Sequence, residues 1–309
     1  MIDPPGSRVE RILAPNPSPM TLAGTNTYLV LRGGSAVAID PGPPDDVHVA
    51  AIVAAAARHG ATIAAIAVTH GHPDHAPAAV RLQALTRAPV YGHRDATFPV
   101  DIVVGEGDRI AAGETVLEVL DTPGHARDHL VFVLREEAAL FTGDVVVGHG
   151  TVVIAPPNGD MRAYQATLAR LRRDFADART IYGGHGDAIA TPCATLDAYI
   201  AHRASREREI LAELAGGERT IPELVRAIYT AVSPVVWPAA ARQILAYLIA
   251  LSREDRVRAR DLGRAPNPAE AAILNPDLGR LVDAASAAVA AAELGFERDL
   301  ARIDAYALA

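Results

Sequence analysis

The sequence "VTHGHPDHAP" at residues 68–77 concentrates three histidines and an aspartate within six positions, in a chain of 309 residues with only 11 histidines. It includes the end of "TIAAIAV", a run rich in β-forming residues, so the polar cluster lies where a strand ends. Alternate residues of extended backbone point to the same side, which lets His70 and His72 reach one ion together. Asp74 and His75 then face a neighbouring position. Two imidazoles leave a tetrahedral site incomplete, so the cluster predicts a metal centre with further ligands from elsewhere in the chain.

Three turns further along the chain offer those ligands. His125 lies in "TPGHARDH", Asp144 in "FTGDVVVG" and His185 in "YGGHGD", and each follows a β-rich run beside glycine. Glycine permits sharp turns into a site, and loops at strand ends commonly hold functional residues. Cys193 is the single cysteine of the sequence, which excludes a cysteine-based cluster. Ligation by nitrogen and oxygen suits zinc, manganese or iron, and we expect zinc.

The segments "THGHPDH", "TPGH", "GD" and "GGHG", in this order, resemble the ligand pattern of the metallo-β-lactamase superfamily. The resemblance implies two divalent metal ions with seven ligands: His70, His72 and His125 on the first, Asp74, His75 and His185 on the second, and Asp144 bridging both. A hydroxide held between two such cations would be the nucleophile, and Asp74 would also orient it as a catalytic residue. The expected enzyme is a metal-dependent hydrolase of an ester, thioester, lactam or phosphodiester.

The fold class expected is α/β. Strand and helix signals alternate over residues 1–202, and the resemblance implies the αββα sandwich of the metallo-β-lactamases as a catalytic domain. From residue 203 the signals are helical, and three helices followed by the basic segment "RVRARDLG" predict an all-helical winged-helix domain at 203–264. The alanine-rich residues 265–309 predict a helical C-terminal extension, which would suit a homodimer contact or a monomeric end cap equally well.

The segment "NPSPMTLAGTNTYLV" and the helical module resemble, more narrowly, the beta-lactamase-like protein 2 group. The characterised member of that group is an endoribonuclease, so the resemblance implies single-stranded RNA as a substrate. Asn26 and Thr27 of this segment become candidate substrate-binding residues. His149 lies five positions beyond Asp144. It is either a catalytic proton donor to the leaving group or a solvent-facing strand histidine.

The distribution of charge also bears on the substrate. The formal net charge is -8, and every one of the 29 basic residues is arginine, which excludes a Schiff-base lysine. Residues 203–264 hold 11 arginines against 8 acids. A globally basic nucleic-acid-binding protein is therefore excluded, but a local basic surface is not. Arg256 and Arg258 would face the same side of a strand and could bind phosphates, unless neighbouring acids neutralise them.

Three functions remain open on the sequence. The first is endonucleolytic cleavage of single-stranded RNA. The second is hydrolysis of a small thioester, ester or lactone, as in the hydroxyacylglutathione hydrolase type, which the acidic main domain favours. The third is DNA-binding regulation through the winged helix, which the complete ligand set disfavours.

No stretch of the sequence approaches about 18 consecutive apolar residues, the length needed for a membrane-spanning helix. The proline-rich start lacks the apolar region of a signal peptide. We therefore expect a cytoplasmic protein that does not contact a membrane.

Overall fold

Two β-sheets pack face to face in the computed structural model, which describes residues 8–275, 300 and 302–309. The first sheet has six strands in the order β1 Val9–Leu13, β2 Asn26–Arg32, β3 Ser35–Ile39, β4 Thr62–Ala67, β5 Val90–Gly92 and β6 Ile102–Val103. The second has the order β11-β10-β9-β8-β7, from strands β7 Arg109–Ala112, β8 Thr115–Asp121, β9 Leu130–Leu134, β10 Ala139–Gly143 and β11 Thr180–Gly183.

The space between the sheets is filled by buried side chains from both of them. Tyr28 and Ile39 of the first sheet belong to one hydrophobic cluster with Val119, Phe132 and Phe141 of the second. The residues of β8 alternate between buried and more exposed over its first half, as expected for a strand with one face on a core. Burial of these large side chains stabilises the sandwich.

Helices cover the outer face of each sheet. Helices α1 (Asp46–Arg58) and α2 (Ala78–Thr86) pack on the first sheet, and α3 (Met161–Asp174) and α4 (Pro192–Ala215) pack on the second. The start of α1 is fixed by Asp45, whose side chain accepts a hydrogen bond from the His48 backbone N–H at 2.7 Å. The predicted α/β sandwich with outer helices is confirmed.

Strand direction brings several loops to one edge of the sandwich. Strand β9 is antiparallel to both β8 and β10, and β11 is parallel to β10. Strands β8, β10 and β11 therefore run the same way, and the turns that follow them open at the same edge. The loop after β4 lies beside them, because Leu130 N donates to Thr69 O at 2.7 Å.

The winged-helix module contains α5 (Ile221–Ile228), α6 (Trp237–Arg253) and a three-stranded sheet. Its strands are β12 (Arg219–Thr220), β13 (Val257–Asp261) and β14 (Asp304–Leu308), in the order β12-β14-β13. A capping box of Thr220 and Glu223 begins α5. Residues 234–253 are long and apolar enough to span a bilayer, but 67% of this stretch is buried inside the protein. Helix α6 packs as the core helix of the module.

The observed helices and strands depart from the predicted chain organisation. The boundary placed at 202/203 falls inside α4, which runs without a break from the sandwich into the winged-helix module. The extension 265–309 is not wholly helical: it contains helix α7 (Pro268–Leu274) but also β14, whose pairing with two distant strands overrides local propensity. The basic segment "RVRARDLG" contributes strand β13 to the sheet of the winged-helix module, which the sequence predicted to be all-helical. Residues 276–299, which make up most of the predicted helical extension, lie outside the described residues.

Candidate metal centre

The seven predicted ligands meet at the edge of the sandwich where the loops open. The loop after β4 supplies four of them, and the turns after β8, β10 and β11 supply one each. Every one is buried, with no side chain more than marginally accessible: His70, His72, Asp74, His75, His125, Asp144 and His185. Their ligand atoms form three groups of three, and within each group all the atoms lie within 4.8 Å of one another. Side chains separated by more than a hundred positions in sequence thus form one polar cluster.

The spacing within two of these groups matches coordination around a single ion. Nδ1 of His72 lies 3.1 Å from Nε2 of His125, and His70 completes that group. In the other, Oδ2 of Asp74 lies 3.3 Å from Nε2 of both His75 and His185. Ligands about 2.0–2.1 Å from a tetrahedral zinc ion are about 3.3 Å apart, so each group has the spacing of ligands around one cation.

Asp144 faces both groups. Its Oδ1 lies 3.5 Å from Nε2 of His75, and its Oδ2 lies 3.4 Å from Nε2 of His185. The same Oδ2 is 3.7 Å from Nε2 of His125 in the first group. A carboxylate placed in this way can bridge two ions.

Several buried ligand atoms lack a hydrogen-bond partner within the described residues: His70 Nε2, Asp74 Oδ1, His75 Nε2 and Asp144 Oδ1. Buried polar atoms are nearly always satisfied, because desolvation without a partner is costly. All four point into the same cluster of nitrogen and oxygen donors. A divalent cation would satisfy them together, so the residues present fit a metal site.

Hydrogen bonds on the far side of the rings fix which nitrogen each histidine offers. Thr69 donates its hydroxyl proton to Oδ2 of Asp40 at 2.8 Å, so it accepts from Nδ1 of His70 at 2.9 Å. Nδ1 of His75 donates to the same Asp40 oxygen at 2.8 Å. Nδ1 of His125 donates to the carbonyl oxygen of Val153 at 2.9 Å. In the neutral form of each of these rings Nδ1 is engaged on the far side, so Nε2 is the nitrogen that faces the cluster and can bind metal.

The pKa shifts of the histidines differ between the two groups of ligands. Burial, and next the neighbouring His125, lower the pKa of His72 to about 3. Burial lowers the pKa of His125 as well. Burial would raise the pKa of Asp74 and Asp144, but the adjacent histidines outweigh it and hold both below their ordinary value. The carboxylates are thus anionic, and His72 and His125 are neutral at neutral pH. For His75 and His185 the carboxylates of Asp74 and Asp144 outweigh burial and raise the pKa, so a metal ion bound there would displace protons.

Sequence reasoning missed the residues that hold the ligands in place. Asp40 orients two histidines, and Thr25 donates to Oδ2 of Asp74 at 2.7 Å. His129 accepts from the Asp144 backbone N–H through Nε2 at 3.1 Å, so its Nδ1 carries the proton and faces the hydroxyl of Thr122. The available signals were a polar residue at the end of a buried strand in "AVAID" and the second histidine of "GHARDH".

Comparison with models of known protein families shows which family the chain belongs to. Residues 20–100 and 94–185 match the family described as "Metallo-beta-lactamase superfamily", and residues 220–264 match "Beta-lactamase associated winged helix domain". The chain belongs to the metallo-beta-lactamase superfamily.

The chain is also similar to individual proteins in sequence or in fold. A beta-lactamase-like protein 2 homolog of Caenorhabditis elegans is 36% identical over 211 residues, which cover 66% of the chain and 70% of the relative. An atrochrysone carboxyl ACP thioesterase of Aspergillus chevalieri is 34% identical over 233 residues, 72% of the chain and 73% of the relative. A metallo-beta-lactamase family protein of Thermus thermophilus, 23% identical, shares the fold over 82% of the chain and 96% of its own, with a TM-score of 0.69.

A cavity of about 270 Å³ opens on the metal centre of this metallo-beta-lactamase superfamily protein. Three predicted ligands line it, together with many apolar side chains from the sandwich and from the segments around α5 and α6. Those that bear on the substrate are Met20, Leu22, Val147, Val152, Val153, Val232, Val236, Ala239 and Ala240. The winged-helix module therefore forms one wall of the candidate active site.

The further predicted site residues have different positions. His149 lies in the turn after β10, not in a strand, and its exposed side chain is at the rim of the cavity. Asn26 and Thr27, predicted to bind substrate, do not line the cavity, because both are fully buried. Asn26 donates to the carbonyl oxygens of Gly183 and Gly186, and Thr27 donates to that of Asp40. They brace the strands behind the metal centre.

Arg256 and Arg258, beside and within strand β13, do not line the cavity. Nη1 of Arg256 donates to Glu207 at 2.7 Å and to Glu254 at 3.3 Å. Arg256 also precedes β13, so it does not alternate with Arg258 along a regular strand. Arg258 is exposed and donates to the carbonyl oxygen of Leu308 at 3.4 Å. The neutralisation of Arg256 by neighbouring acids is thus the arrangement observed.

Proposed function

We propose that this protein is a metal-dependent hydrolase of acyl thioesters. The observation that carries the proposal is the small, mainly apolar cavity that leads to the candidate metal centre. An acyl chain fits such a cavity, because burial of its methylene groups is favourable. The relative named a thioesterase points to the same class of substrate.

Two divalent cations, which we expect to be zinc, would be held by two groups of three ligands and by Asp144. The groups are His70, His72 and His125, and Asp74, His75 and His185. Bound cations of this kind lower the pKa of water and polarise a carbonyl oxygen. The residues of the chain supply the rest. Thr25 holds Asp74 in place, and Asp40 holds His75. In the reaction the oxygen of water adds to the thioester carbonyl carbon and one water proton is released to solvent. The carbon–sulfur bond then breaks, and the sulfur leaves with the electron pair.

His149 is proposed as the group that protonates the leaving sulfur. Its side chain lies at the rim of the cavity, where a thiol would leave for solvent. An imidazole can donate a proton to a departing atom, which suits a general acid. Replacement of His149 by Ala is expected to lower kcat for thioesters with poor leaving groups and to have less effect on activated aryl thioesters, whose thiolates leave without a proton.

Single-stranded RNA is the weaker candidate on these contacts. Four arginines in and around the wing are engaged with acids: Arg253 with Asp160, Arg256 with Glu207, Arg260 with Glu218 and Arg264 with Glu270. A phosphate would have to displace those carboxylates. The basic residues are also absent from the described wall of the cavity, except for the buried Arg203. These features favour a small acyl substrate over a polyanion.

The test is an activity panel on zinc-loaded and manganese-loaded protein. The substrates are a short acyl-CoA, a lactone, bis(p-nitrophenyl) phosphate and a single-stranded RNA, and the His72→Ala variant serves as the metal-ligand control. We expect hydrolysis of the thioester that disappears in His72→Ala. Metal-dependent cleavage of RNA without thioester hydrolysis would overturn the proposal.

A further inference from the structure

Two side chains in the wall of the metal-centre cavity carry hydrogen-bond donors without an acceptor. Nε of Arg203 and Nε2 of Gln243 are both buried atoms that have no partner within the described residues. Arg203 is 2% exposed and Gln243 is 5% exposed, and both line the cavity. Buried donors of this kind call for an acceptor from a ligand or an ordered water molecule.

The orientation of the Gln243 amide is fixed by its neighbour. The backbone N–H of Ile154 donates to Oε1 of Gln243 at 3.1 Å, and an N–H group can only donate. The oxygen therefore faces Ile154, and the amide NH2 is the group left over. This side chain offers protons, not lone pairs, to whatever occupies the cavity.

Arg203 is a buried cation without a carboxylate partner in the described part of the chain. Its Nη2 donates to the carbonyl oxygen of Val152 at 2.7 Å, and its guanidinium carbon lies 5.0 Å from the ring centre of Tyr164. Neither contact supplies a full negative charge. Buried charges are normally paired, because their desolvation is expensive. Asp144 is the sole carboxylate among the described lining residues, and it belongs to the candidate metal site.

One short segment joins these donors to the metal centre. Val152 accepts from Arg203, Val153 accepts from the ligand His125, and Ile154 donates to Gln243. The three residues are consecutive, so both donors are held on the same strip of backbone as a metal ligand. A substrate that reaches the metal centre would therefore extend toward the two donors.

We propose that the cavity selects acyl groups whose far end is a carboxylate, bound by Arg203 and Gln243. This inference rests on the proposed thioesterase function, because it names the acyl group that the same site accepts. The apolar side chains contact the methylene chain, the thioester carbonyl lies at the metal centre, and the terminal carboxylate pairs with the guanidinium and accepts from the amide. An acyl group with a methyl end would leave both donors unpaired.

The test compares two thioesters of equal length on the zinc-loaded protein. Glutaryl-CoA ends in a carboxylate and pentanoyl-CoA in a methyl group. We expect kcat/KM for glutaryl-CoA to exceed that for pentanoyl-CoA by roughly tenfold or more, the usual effect of a hydrogen bond to a charged group. A ratio of one, or a preference for pentanoyl-CoA, would overturn the inference and indicate donors that bind ordered water only.

Variants assign the preference to the two side chains. Gln243→Glu keeps the acceptor for Ile154 but replaces the amide donors by a like charge, so the ratio should fall by roughly tenfold. Arg203→Met should have the same effect. The control is Arg242→Met, which removes an equally buried arginine that bonds Asn275 and does not line the cavity. An unchanged ratio in Gln243→Glu contradicts the assignment even when Arg203→Met does not fold.

A binding measurement separates this inference from the proposed function. Saturation-transfer NMR on the zinc-loaded protein would compare monomethyl glutarate with methyl pentanoate. Binding of monomethyl glutarate that is lost in Gln243→Glu supports the cavity inference even where neither thioester is hydrolysed, an outcome that would overturn the thioesterase proposal alone. Equal binding of both esters in wild type and variant would overturn the cavity inference while thioester hydrolysis stands.

Discussion

The carboxylate of Asp40 accepts a hydrogen bond from Nδ1 of His75 at 2.8 Å, and the same oxygen accepts from Thr69, which in turn holds His70. One side chain thus orients a ligand in each of the two predicted metal positions. Its position at the end of β3 gives it a fixed backbone, so the two imidazoles are held by the sandwich itself.

Replacement of Asp40 by Asn is expected to weaken metal binding. The amide keeps the shape of the carboxylate but removes the charge that strengthens both hydrogen bonds. Loss of such a partner costs roughly 10- to 100-fold in metal affinity. Competition with a zinc-binding dye would measure it, with Asp46→Asn on the surface of α1 as the matched control. Equal affinity in Asp40→Asn and wild type would contradict this role.

Removal of metal is expected to lower thermal stability. A ligand that binds the folded state alone raises the free energy of unfolding, and chelation reverses that gain. We expect a lower Tm after treatment with a chelator and recovery after addition of zinc, with a smaller metal-dependent rise in His72→Ala. His149→Ala, outside the ligand set, should retain the full rise. A wild-type Tm that does not change with metal would contradict the predicted metal centre.

Gly184 is expected to tolerate no side chain. A Cβ atom there would lie 2.4 Å from Oδ1 of Asp144 and 2.6 Å from Cε1 of His75. In Gly184→Ala one of these ligands must move, and a displacement of about 1 Å costs roughly 100-fold in rate. Gly216→Ala, at the end of α4, is the control. The readouts are kcat and bound metal per chain, and wild-type values for both in Gly184→Ala would show that the ligands have room to shift.

The ion pair of Glu270 with Arg264 gives a stability contribution that depends on pH. The hydrogen bonds from Arg264 lower the pKa of Glu270 to about 2. A lowered folded-state pKa stabilises above the unfolded value of 4.5 and loses its effect as pH falls toward 2. Glu270→Gln should therefore cost up to roughly 1 kcal/mol in urea unfolding at pH 7.

The difference between Glu270→Gln and wild type should begin to shrink below about pH 4.5. The Glu270 carboxylate also accepts from the Asn267 backbone N–H, which begins α7. A neutral amide is a weaker acceptor there, so a small difference independent of pH is expected as well. A difference that is the same at pH 7 and at about pH 3 would show that the charge of Glu270 contributes nothing.

Local signals explain what the sequence made predictable. "NTYLVLR" is rich in β-forming residues, as is typical of a strand, and it forms β2. The Thr220 and Glu223 capping box marked the start of α5. The metal cluster was predictable because four of its residues are neighbours in sequence and the others follow β-rich runs beside glycine.

Features that depend on distant partners could not be predicted in the same way. Asp40 acquires its role because β3 and β4 are adjacent, which no local pattern states. The polar residues Asn26 and Thr27 were predicted to bind substrate. Their side chains instead donate hydrogen bonds to buried main-chain carbonyl oxygens. Strand β14 exists through its pairing with β12 and β13, and "DAYAL" alone is equally compatible with a helix.

The position of β14 between β12 and β13 also sets an order of assembly during protein synthesis. Both outer strands leave the ribosome before the strand that joins them, and neither is paired with the other. The catalytic sandwich, whose strands all precede residue 184, can complete its hydrogen bonds while the wing sheet is still open. A wall of the cavity comes from the module that closes last, so a nascent chain can bind metal before its substrate cavity is finished.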